Sequence, residues 1–251
     1  MTDTGITPLY RDCDFNGPLS DAHAARLIDT LGPLDAQHIA DIGCGWAELL
    51  LRTLARAPTA TGFGIDIDEG DIAHGRANAA ARELDGRVDL VAGDAGTREG
   101  TDADIVFNIG SSHVWGGDPL THTANALQAL SATVRPGGRL LFGECFWARE
   151  PTDAELEAMD DVPRGQYRSI RALVDLALSH GFRLRALSQA SLEEWDDFEN
   201  WNAKAWEEWL VDNPDAPGAD GIRARADRHR RARIDGWREV MGMAYLTLIR
   251  C

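Results

Sequence analysis

The stretch HIADIGCGWAELLLRTL, from His38 to Leu54, passes from a short apolar run through two glycines into a helical pattern. Gly43 and Gly45 have no Cβ, so they permit a tight turn and let a ligand touch the main chain. The helix beyond them begins with unpaired backbone N–H groups, which can bind a polar ligand. The stretch therefore predicts a strand, a ligand-binding glycine loop and a helix, although a glycine pair alone would equally suit an ordinary turn.

Composition limits the classes of protein to which the chain can belong. It has 251 residues and a net charge of −16, so it is large enough for one sizeable α/β domain and poorly suited to a nucleic-acid backbone. No apolar run approaches the roughly 20 residues of a membrane helix. The cysteines are scattered, which suits a reducing compartment; they are Cys13, Cys44, Cys145 and Cys251. We expect a cytoplasmic protein with neither a nucleic-acid nor a membrane partner.

Short apolar runs alternate with helical patterns along most of the chain, which predicts a mostly parallel sheet with helices on both faces. The predicted strands are His38–Ile42, Thr61–Ile65, Val88–Ala92, Asp104–Ile109, Arg139–Phe142, Phe182–Ala190 and Met243–Ile249. The predicted helices between them are Ala47–Arg56, Asp71–Leu84, Asp118–Thr133 and Ser169–His180. We expect a single domain over residues 1–251, in which residues 1–35 form an arm and a helix capped by Ser20 or Asp21.

Acidic and glycine-rich segments accompany three further strands. Asp66 ends the second strand, 25 residues after Asp41, where an acid can accept hydrogen bonds from both hydroxyls of a ribose. The segment GDA at residues 93–95 follows the third strand, and a predicted tight turn, RPGG at residues 135–138, precedes the fifth. Together these features describe an adenosine-shaped site at one edge of the sheet.

Taken together, these motifs resemble those of a known protein family. DIGCGWA, from Asp41 to Ala47, resembles the first motif of class I S-adenosylmethionine-dependent methyltransferases, and the later acids and the RPGG turn match that family in order and spacing. The resemblance covers roughly residues 37–185 and implies a Rossmann-like fold with a seven-stranded sheet and S-adenosylmethionine as cofactor. Ala47 replaces the usual third glycine and is small enough for close packing. The dinucleotide fingerprint G-x-G-x-x-G/A is not met, because Glu48 and Leu49 stand where its last small residue is needed.

The resemblance also implies which residues bind the cofactor. They are Asp41, Gly43, Gly45, Asp66, Ile67, Asp94, Ala95 and Gly110. The two loop glycines would pass beneath the methionine part, and Asp41 would orient the loop or reach the amino group through water. Asp66 would hold the ribose, with Ile67 against the adenine. Asp94 would accept from the adenine amino group, and the Ala95 N–H would bond the ring.

The loop after the fourth strand, GSSHVWGG, would face the transferable methyl group in this family's fold. His113 could take a proton from the methyl acceptor, because histidine is a common general base in enzymes; hydrogen bonding within the loop explains this residue equally well. Glu144, at the end of the fifth strand, is the second catalytic candidate, because it could bind a cationic substrate or hold His113. The loop lacks the acid cluster of a magnesium site, so we expect no metal.

Residues 191–241 form a long, charged insert before the last strand. At helical spacing its aromatic side chains fall on one arc; they are Trp195, Phe198, Trp201, Trp206 and Trp209. An amphipathic helix docked on the core explains most of them. The functional alternative is a lid, completed by a second helix over residues 221–240, that covers the methyl site with an aromatic lining.

The sequence favours an enzyme that methylates a small organic molecule, in secondary or amine metabolism, without a metal. It leaves open whether nitrogen, oxygen or carbon accepts the methyl group, and whether the chain forms a homodimer. Two alternatives remain. One is a cofactor-binding regulatory protein with a degenerate methyltransferase domain, and the other is a methyltransferase acting on a peptide or a carrier-bound substrate.

Overall fold

The computed structural model describes residues 6–97 and 103–251. Within them, eight strands form one sheet: β1 His38–Ile42, β2 Thr61–Asp66, β3 Val88–Ala92, β4 Ala103–Ile109, β5 Val134–Trp147, β6 Arg168–Ser169, β7 Phe182–Gln189 and β8 Met241–Arg250. Their order is β3-β2-β1-β4-β5-β8-β7, and β6 pairs with β5 outside this path. β8 runs antiparallel to β5 and to β7, and the other described pairings are parallel, so the prediction of a mostly parallel sheet is confirmed.

The α-helices of the described residues are α1 Asp21–Thr30, α2 Glu48–Arg56, α3 Glu69–Ala81, α4 His122–Thr133, α5 Asp153–Ala158, α6 Ile170–Ser179, α7 Leu192–Asp212 and α8 Ala219–Arg231. Every predicted strand and helix is present, with ends that differ by a few residues. The sheet has eight strands where seven were predicted, because β6 is too short to show a period in the sequence. The six-residue α5 was missed for the same reason.

The strand order creates a crevice beside β1. The chain runs from β1 to β2 and β3 on one side, then returns so that β4 pairs with the other side of β1. Helices that follow β1 and β4 must leave on opposite faces, which opens a gap outside the carboxyl ends of these two strands. This gap lies at the glycine loop that the sequence singles out.

Two apolar clusters cover the faces of the sheet. The first packs α1, α2 and α3 on one face, and the second packs α4 and α6 on the other. Buried leucines at helical spacing in α2, such as Leu50 and Leu54, are wholly inaccessible. Burial of such side chains on both faces fixes the sheet as a central layer, and so fixes the strand ends that carry the loops.

The RPGG segment is not a separate turn before the fifth strand. It lies inside β5, where Gly137 has a φ of +75° and the pairing with β4 shifts register between Ala103 and Ile105. A Cβ added to Gly138 would lie 2.8 Å from the Asp104 carbonyl oxygen. The two glycines therefore form an irregularity within the strand, which a turn prediction from sequence does not distinguish from a true turn.

The N-terminal arm and the insert before β8 are joined by one carboxylate. Ser20 caps α1, and Ser191 with Glu194 forms a capping box at the start of α7. Glu194 also accepts hydrogen bonds from the N–H and the hydroxyl of Ser20, at 3.0 and 2.7 Å. Burial raises the pKa of Glu194, but the hydrogen bonds from Ser20, Ser191 and His23 outweigh it and lower the pKa to about 2.

Candidate functional site

In the glycine loop after β1, Gly43 has no room for a side chain. Gly43 has a φ of +74°, and a Cβ there would lie 2.4 Å from the Ser111 hydroxyl oxygen. The N–H groups of Gly43 and Cys44 both donate to the Ile65 carbonyl oxygen, at 2.9 and 3.1 Å. Ala47 then takes a φ of +58° before α2 begins. The loop is therefore held against β2 on one side and the loop after β4 on the other.

Asp66 connects the end of β2 to this loop. Its Oδ2 atom accepts a hydrogen bond of 2.8 Å from the Gly45 N–H, and its Oδ1 atom accepts one of 3.0 Å from the Asp68 N–H. A carboxylate has about four lone-pair positions, so both oxygens can still accept hydrogen bonds from a ligand. The half-buried side chain is thereby oriented before any ligand arrives.

A cavity of about 510 Å³ lies over the carboxyl ends of β1, β2 and β4. Nine of the ten residues singled out by the sequence line it: Asp41, Gly43, Gly45, Asp66, Ile67, Asp94, Ala95, Gly110 and His113. Glu144 does not. The structure thus brings all eight residues implied in cofactor binding to one cavity, and their individual contacts with a ligand stay predictions.

The end of this cavity that Ile67 and Asp94 line is open to solvent. Ile67 directly follows Asp66 and leaves 78 % of its surface exposed, which is unusual for a large apolar side chain. Asp94 is exposed, and its Oδ1 atom accepts a hydrogen bond of 2.9 Å from the Gly96 N–H. The neighbouring Ala95 is buried. A flat apolar ring laid on Ile67 would cover surface that otherwise faces water.

The cavity is acidic at the loop. Asp41 is 6 % exposed and lines the cavity. Burial, and then the nearby charge of Asp66, raise the pKa of Asp41 to about 8. Burial and the charges of Asp68 and Asp66 also raise the pKa of Asp71 to about 6. Three carboxylates around one loop favour a cationic ligand group and disfavour an anionic one.

Two polar residues of the loop after β4 have different environments: Ser111 is hydrogen-bonded to β1, and His113 lines the cavity. Ser111 is buried and donates its hydroxyl to the Ile42 carbonyl oxygen at 2.9 Å, while Asn108 Nδ2 donates to Ser111 at 2.8 Å. This hydroxyl is therefore used to hold the loop on β1. His113 is exposed and lines the cavity. Of the polar side chains in this loop, the imidazole is the one free to meet a bound molecule.

Glu144 lies on the opposite face of the sheet. It is 7 % exposed, and its Oε1 atom accepts a hydrogen bond of 3.0 Å from the Cys145 N–H, while Oε2 has no partner of good geometry. Burial raises its pKa, and the nearby Ser112 and Thr123 hydroxyls offset this in part. Successive side chains of a strand point to opposite faces, so β5 directs Glu144 away from the cavity.

The sequence did not identify one side of the cavity. It is formed by the N-terminal arm and by the last long strand; the lining residues there are Phe15, Asn16, Gly17, Leu19 and Tyr245. The Tyr245 hydroxyl donates to the Pro18 carbonyl oxygen at 2.8 Å, and the Trp46 indole donates to the Asp14 carbonyl oxygen at 2.7 Å. These contacts join residues far apart in the sequence, so no local pattern in the arm predicts them.

The aromatic insert does not line this cavity. Trp195, Phe198, Trp201, Trp206 and Trp209 lie on α7, and the cavity lining includes none of them. Trp195 packs against the first apolar cluster, and Trp206 packs edge-on against His229 of α8. The predicted lid over the methyl site stays a prediction.

Within residues 6–97 and 103–251, no group of three or more histidine, cysteine, aspartate or glutamate side chains is arranged to hold a metal ion. No helix in these ranges is both long and apolar enough to cross a membrane.

Comparison with known proteins agrees with the architecture. Residues 40–140 match the family model described as a methyltransferase domain. The Escherichia coli protein YjhP is 27 % identical over 236 residues, which are 93 % of both chains; its X-ray structure has a TM-score of 0.83 to this chain, at 25 % identity over 94 % of this chain and 95 % of that one.

Two further relatives carry functional names. The ubiquinone/menaquinone biosynthesis C-methyltransferase UbiE of Dinoroseobacter shibae is 33 % identical over 116 residues, 46 % of this chain and 45 % of that one. The structure of a SAM-dependent methyltransferase from Geobacter sulfurreducens, in complex with S-adenosyl-L-homocysteine, has a TM-score of 0.86 at 22 % identity, over 97 % of this chain and 96 % of that one. With the strand order, these matches show that the chain has the Rossmann-like methyltransferase fold and that residues 40–140 resemble a methyltransferase domain.

Proposed function

We propose that this protein methylates a small organic molecule, with S-adenosylmethionine bound in the 510 Å³ cavity. The observation that carries the proposal is the buried carboxylate of Asp41 in the lining of this cavity, beside Gly43, where an added Cβ would collide with Ser111. A buried carboxylate is costly unless a cation or a proton neutralises it. The cofactor has a cationic amino group at the end that would lie on this loop, so the residues present fit it.

The same acids argue against a dinucleotide. NAD and NADP place a pyrophosphate on the glycine loop of their domains, and the pyrophosphate is anionic. Here Asp41, Asp66 and Asp71 surround the loop, and burial together with neighbouring charge already raises the pKa of Asp41 and Asp71. Two further negative charges at this point would be repelled.

The remaining residues of the cavity suit the rest of the cofactor. The Gly45 and Asp68 N–H groups hold the Asp66 carboxylate in place, and from there it would accept hydrogen bonds from the two ribose hydroxyls. Ile67 offers an exposed apolar surface for the adenine, beside the exposed carboxylate of Asp94. When bound, S-adenosylmethionine supplies a methyl group on a positively charged sulfur, which a nucleophile can attack in line.

His113 is placed to act on the acceptor. Its imidazole lines the cavity in the loop that follows Gly110, and it is exposed. A histidine there orients an acceptor by a hydrogen bond and takes its proton if the acceptor arrives protonated. Glu144 faces the other side of the sheet, so we assign it no contact with the acceptor.

Binding and turnover should be measured separately. Calorimetry should show that S-adenosylmethionine binds and that NAD does not. Purified protein incubated with S-adenosylmethionine and a library of small amines, phenols and quinols should then give a methylated product by mass spectrometry. Binding without turnover on any small molecule, peptide or carrier-bound substrate would support the regulatory alternative. Failure to bind S-adenosylmethionine at all would overturn the proposal.

A further inference from the structure

A second cavity lies between the insert and the end of β5. It has a volume of about 140 Å³, close to that of a cavity that holds one benzene ring. Its apolar walls come from Phe146 and Met241 on the sheet, Leu192 and Trp195 on α7, and Trp237 in the turn of π-helix that follows α8. Glu199 of α7 also lines it.

Three polar atoms in this lining lack a hydrogen-bond partner among the described residues. They are the indole Nε1 atoms of Trp195 and Trp237 and the Oε2 atom of Glu199, all buried. Glu199 Oε2 makes no hydrogen bond, but it lies 2.7 Å from His229 Nε2 and forms an ion pair with that imidazole when the imidazole is protonated. A buried donor or acceptor left without a partner is destabilising, and native proteins seldom retain three around one cavity without a ligand or water to satisfy them.

The charge of the lining is negative at its buried end. The Glu199 side chain is 8 % exposed, whereas those of Arg233 and Arg238 are 15 % and 39 % exposed. Both arginines bind Asp196, at 3.0 and 2.9 Å, so this carboxylate already occupies them. The deepest charge is thus a carboxylate surrounded by aromatic rings, an arrangement that attracts organic cations.

The second cavity lies one residue from the first. The methyl end of the Met243 side chain would be 3.8 Å from a Cβ on Gly110, which lines the first cavity. The Met243 carbonyl oxygen accepts a hydrogen bond of 2.9 Å from the N–H of Ala190, which lines the second. Met243 is 3 % exposed and therefore lies between the second cavity and Gly110, whose loop would face the transferable methyl group.

We propose that this second cavity binds a small organic amine that also carries a hydroxyl or carbonyl oxygen. The ammonium N–H donates to Glu199 Oε2, and the oxygen accepts from the indole N–H groups of Trp195 and Trp237. The aromatic walls cover the carbon skeleton. The inference rests on the proposed function in one respect, since the amine is taken to be the anchored end of the methyl acceptor.

The test compares two probes of equal size by calorimetry on the full chain. 2-Amino-1-phenylethanol has ten non-hydrogen atoms, a protonated amine and a hydroxyl, and 1-phenyl-1,2-ethanediol replaces the amine by a second hydroxyl. We expect the amine to bind at least tenfold more tightly than the diol. Glu199→Gln should weaken the amine about ten- to a hundred-fold and leave the diol unchanged. Trp237→Phe, which keeps an aromatic ring, should weaken both about two- to tenfold.

Glu208→Gln is the matched control, because it removes the same charge from an exposed residue of α7 outside the cavity lining. It should not change the affinity for either probe. Circular dichroism verifies that each variant is folded, and Trp195→Phe replaces Glu199→Gln if the latter does not fold. Equal affinity for the two probes, or full amine affinity in a folded Glu199→Gln variant, would overturn the inference.

Calorimetry with S-adenosylmethionine on the same variants separates this inference from the proposed function. Glu199→Gln should bind S-adenosylmethionine as the unmodified chain does. If the unmodified chain binds the amine through Glu199 but does not bind S-adenosylmethionine, the amine site stands and the proposed function fails. If it binds S-adenosylmethionine but neither probe, the proposed function stands and the amine site fails.

Discussion

The Gly45 N–H donates a hydrogen bond of 2.8 Å to the Oδ2 atom of Asp66, and so ties the glycine loop after β1 to the end of β2. One carboxylate thereby fixes the shape of the loop and presents lone pairs to a ribose. The two elements are 21 residues apart in the chain, and their meeting depends on the parallel pairing of β1 with β2.

Replacing Asp66 by alanine should weaken S-adenosylmethionine binding about ten- to a hundred-fold. Loss of a charged hydrogen-bond acceptor costs about 1.5–3 kcal/mol, and here the loop also loses its tether. Calorimetry measures the change. Asp89→Ala, at an exposed position of β3 outside the cavity, is the control and should bind normally. Unchanged affinity in Asp66→Ala would remove Asp66 from the cofactor site.

The stability of the ligand-free protein should depend on pH through Asp41. Its pKa rises from 3.8 to about 8 on folding, because it is buried next to Asp66. Between these values the unfolded chain has lost a proton that the folded chain still holds, so stability is full below about pH 4 and falls as pH rises toward 8. The slope for one proton is at most about 1.4 kcal/mol per pH unit.

Asp41→Asn removes this titration without changing the size of the side chain. The free energy of unfolding, measured in urea at pH 5, 6, 7 and 8, should therefore fall with pH more steeply in the unmodified protein than in the variant. If the difference in the free energy of unfolding between the two proteins stayed constant from pH 5 to pH 8, the raised pKa of Asp41 would be contradicted.

His113→Ala should slow methyl transfer about 10²–10⁴-fold if the acceptor arrives protonated, and less if His113 only orients it. Affinity for the cofactor should be nearly unchanged, because the imidazole lies at the exposed rim of the cavity. Single-turnover kinetics and calorimetry measure the two quantities. His122→Ala, outside the cavity lining, is the control. A full rate in His113→Ala would leave His113 as a structural residue of its loop.

Methyl transfer should proceed without a divalent metal. The GSSHVWGG loop supplies no carboxylates of the kind that bind magnesium. Turnover measured with and without EDTA should be the same. Activity that EDTA abolishes and magnesium restores would refute this prediction.

The sequence by itself determined the layered α/β fold and most of one cavity. Strand periodicity, the glycines at positions 43 and 45 and the acids at strand ends are local properties, so they can be recognised without knowing what packs against them. In a parallel sheet the carboxyl ends of neighbouring strands share one edge. This rule brings Asp41, Asp66 and Asp94 together once the strands are recognised.

The tertiary structure alone decided what no local pattern encodes. The sequence places Glu144 at the end of β5 but does not show on which face of the sheet its side chain lies. In the structure this side chain lies on the face that α4 and α6 cover, away from the cavity. The N-terminal arm reaches the cavity through Tyr245, 227 residues beyond Pro18. Trp195 and Trp237 likewise meet at a second cavity only because α7 and the turn after α8 fold onto the same end of β5. Such contacts depend on three-dimensional closure of the chain, which periodicity along the sequence does not record.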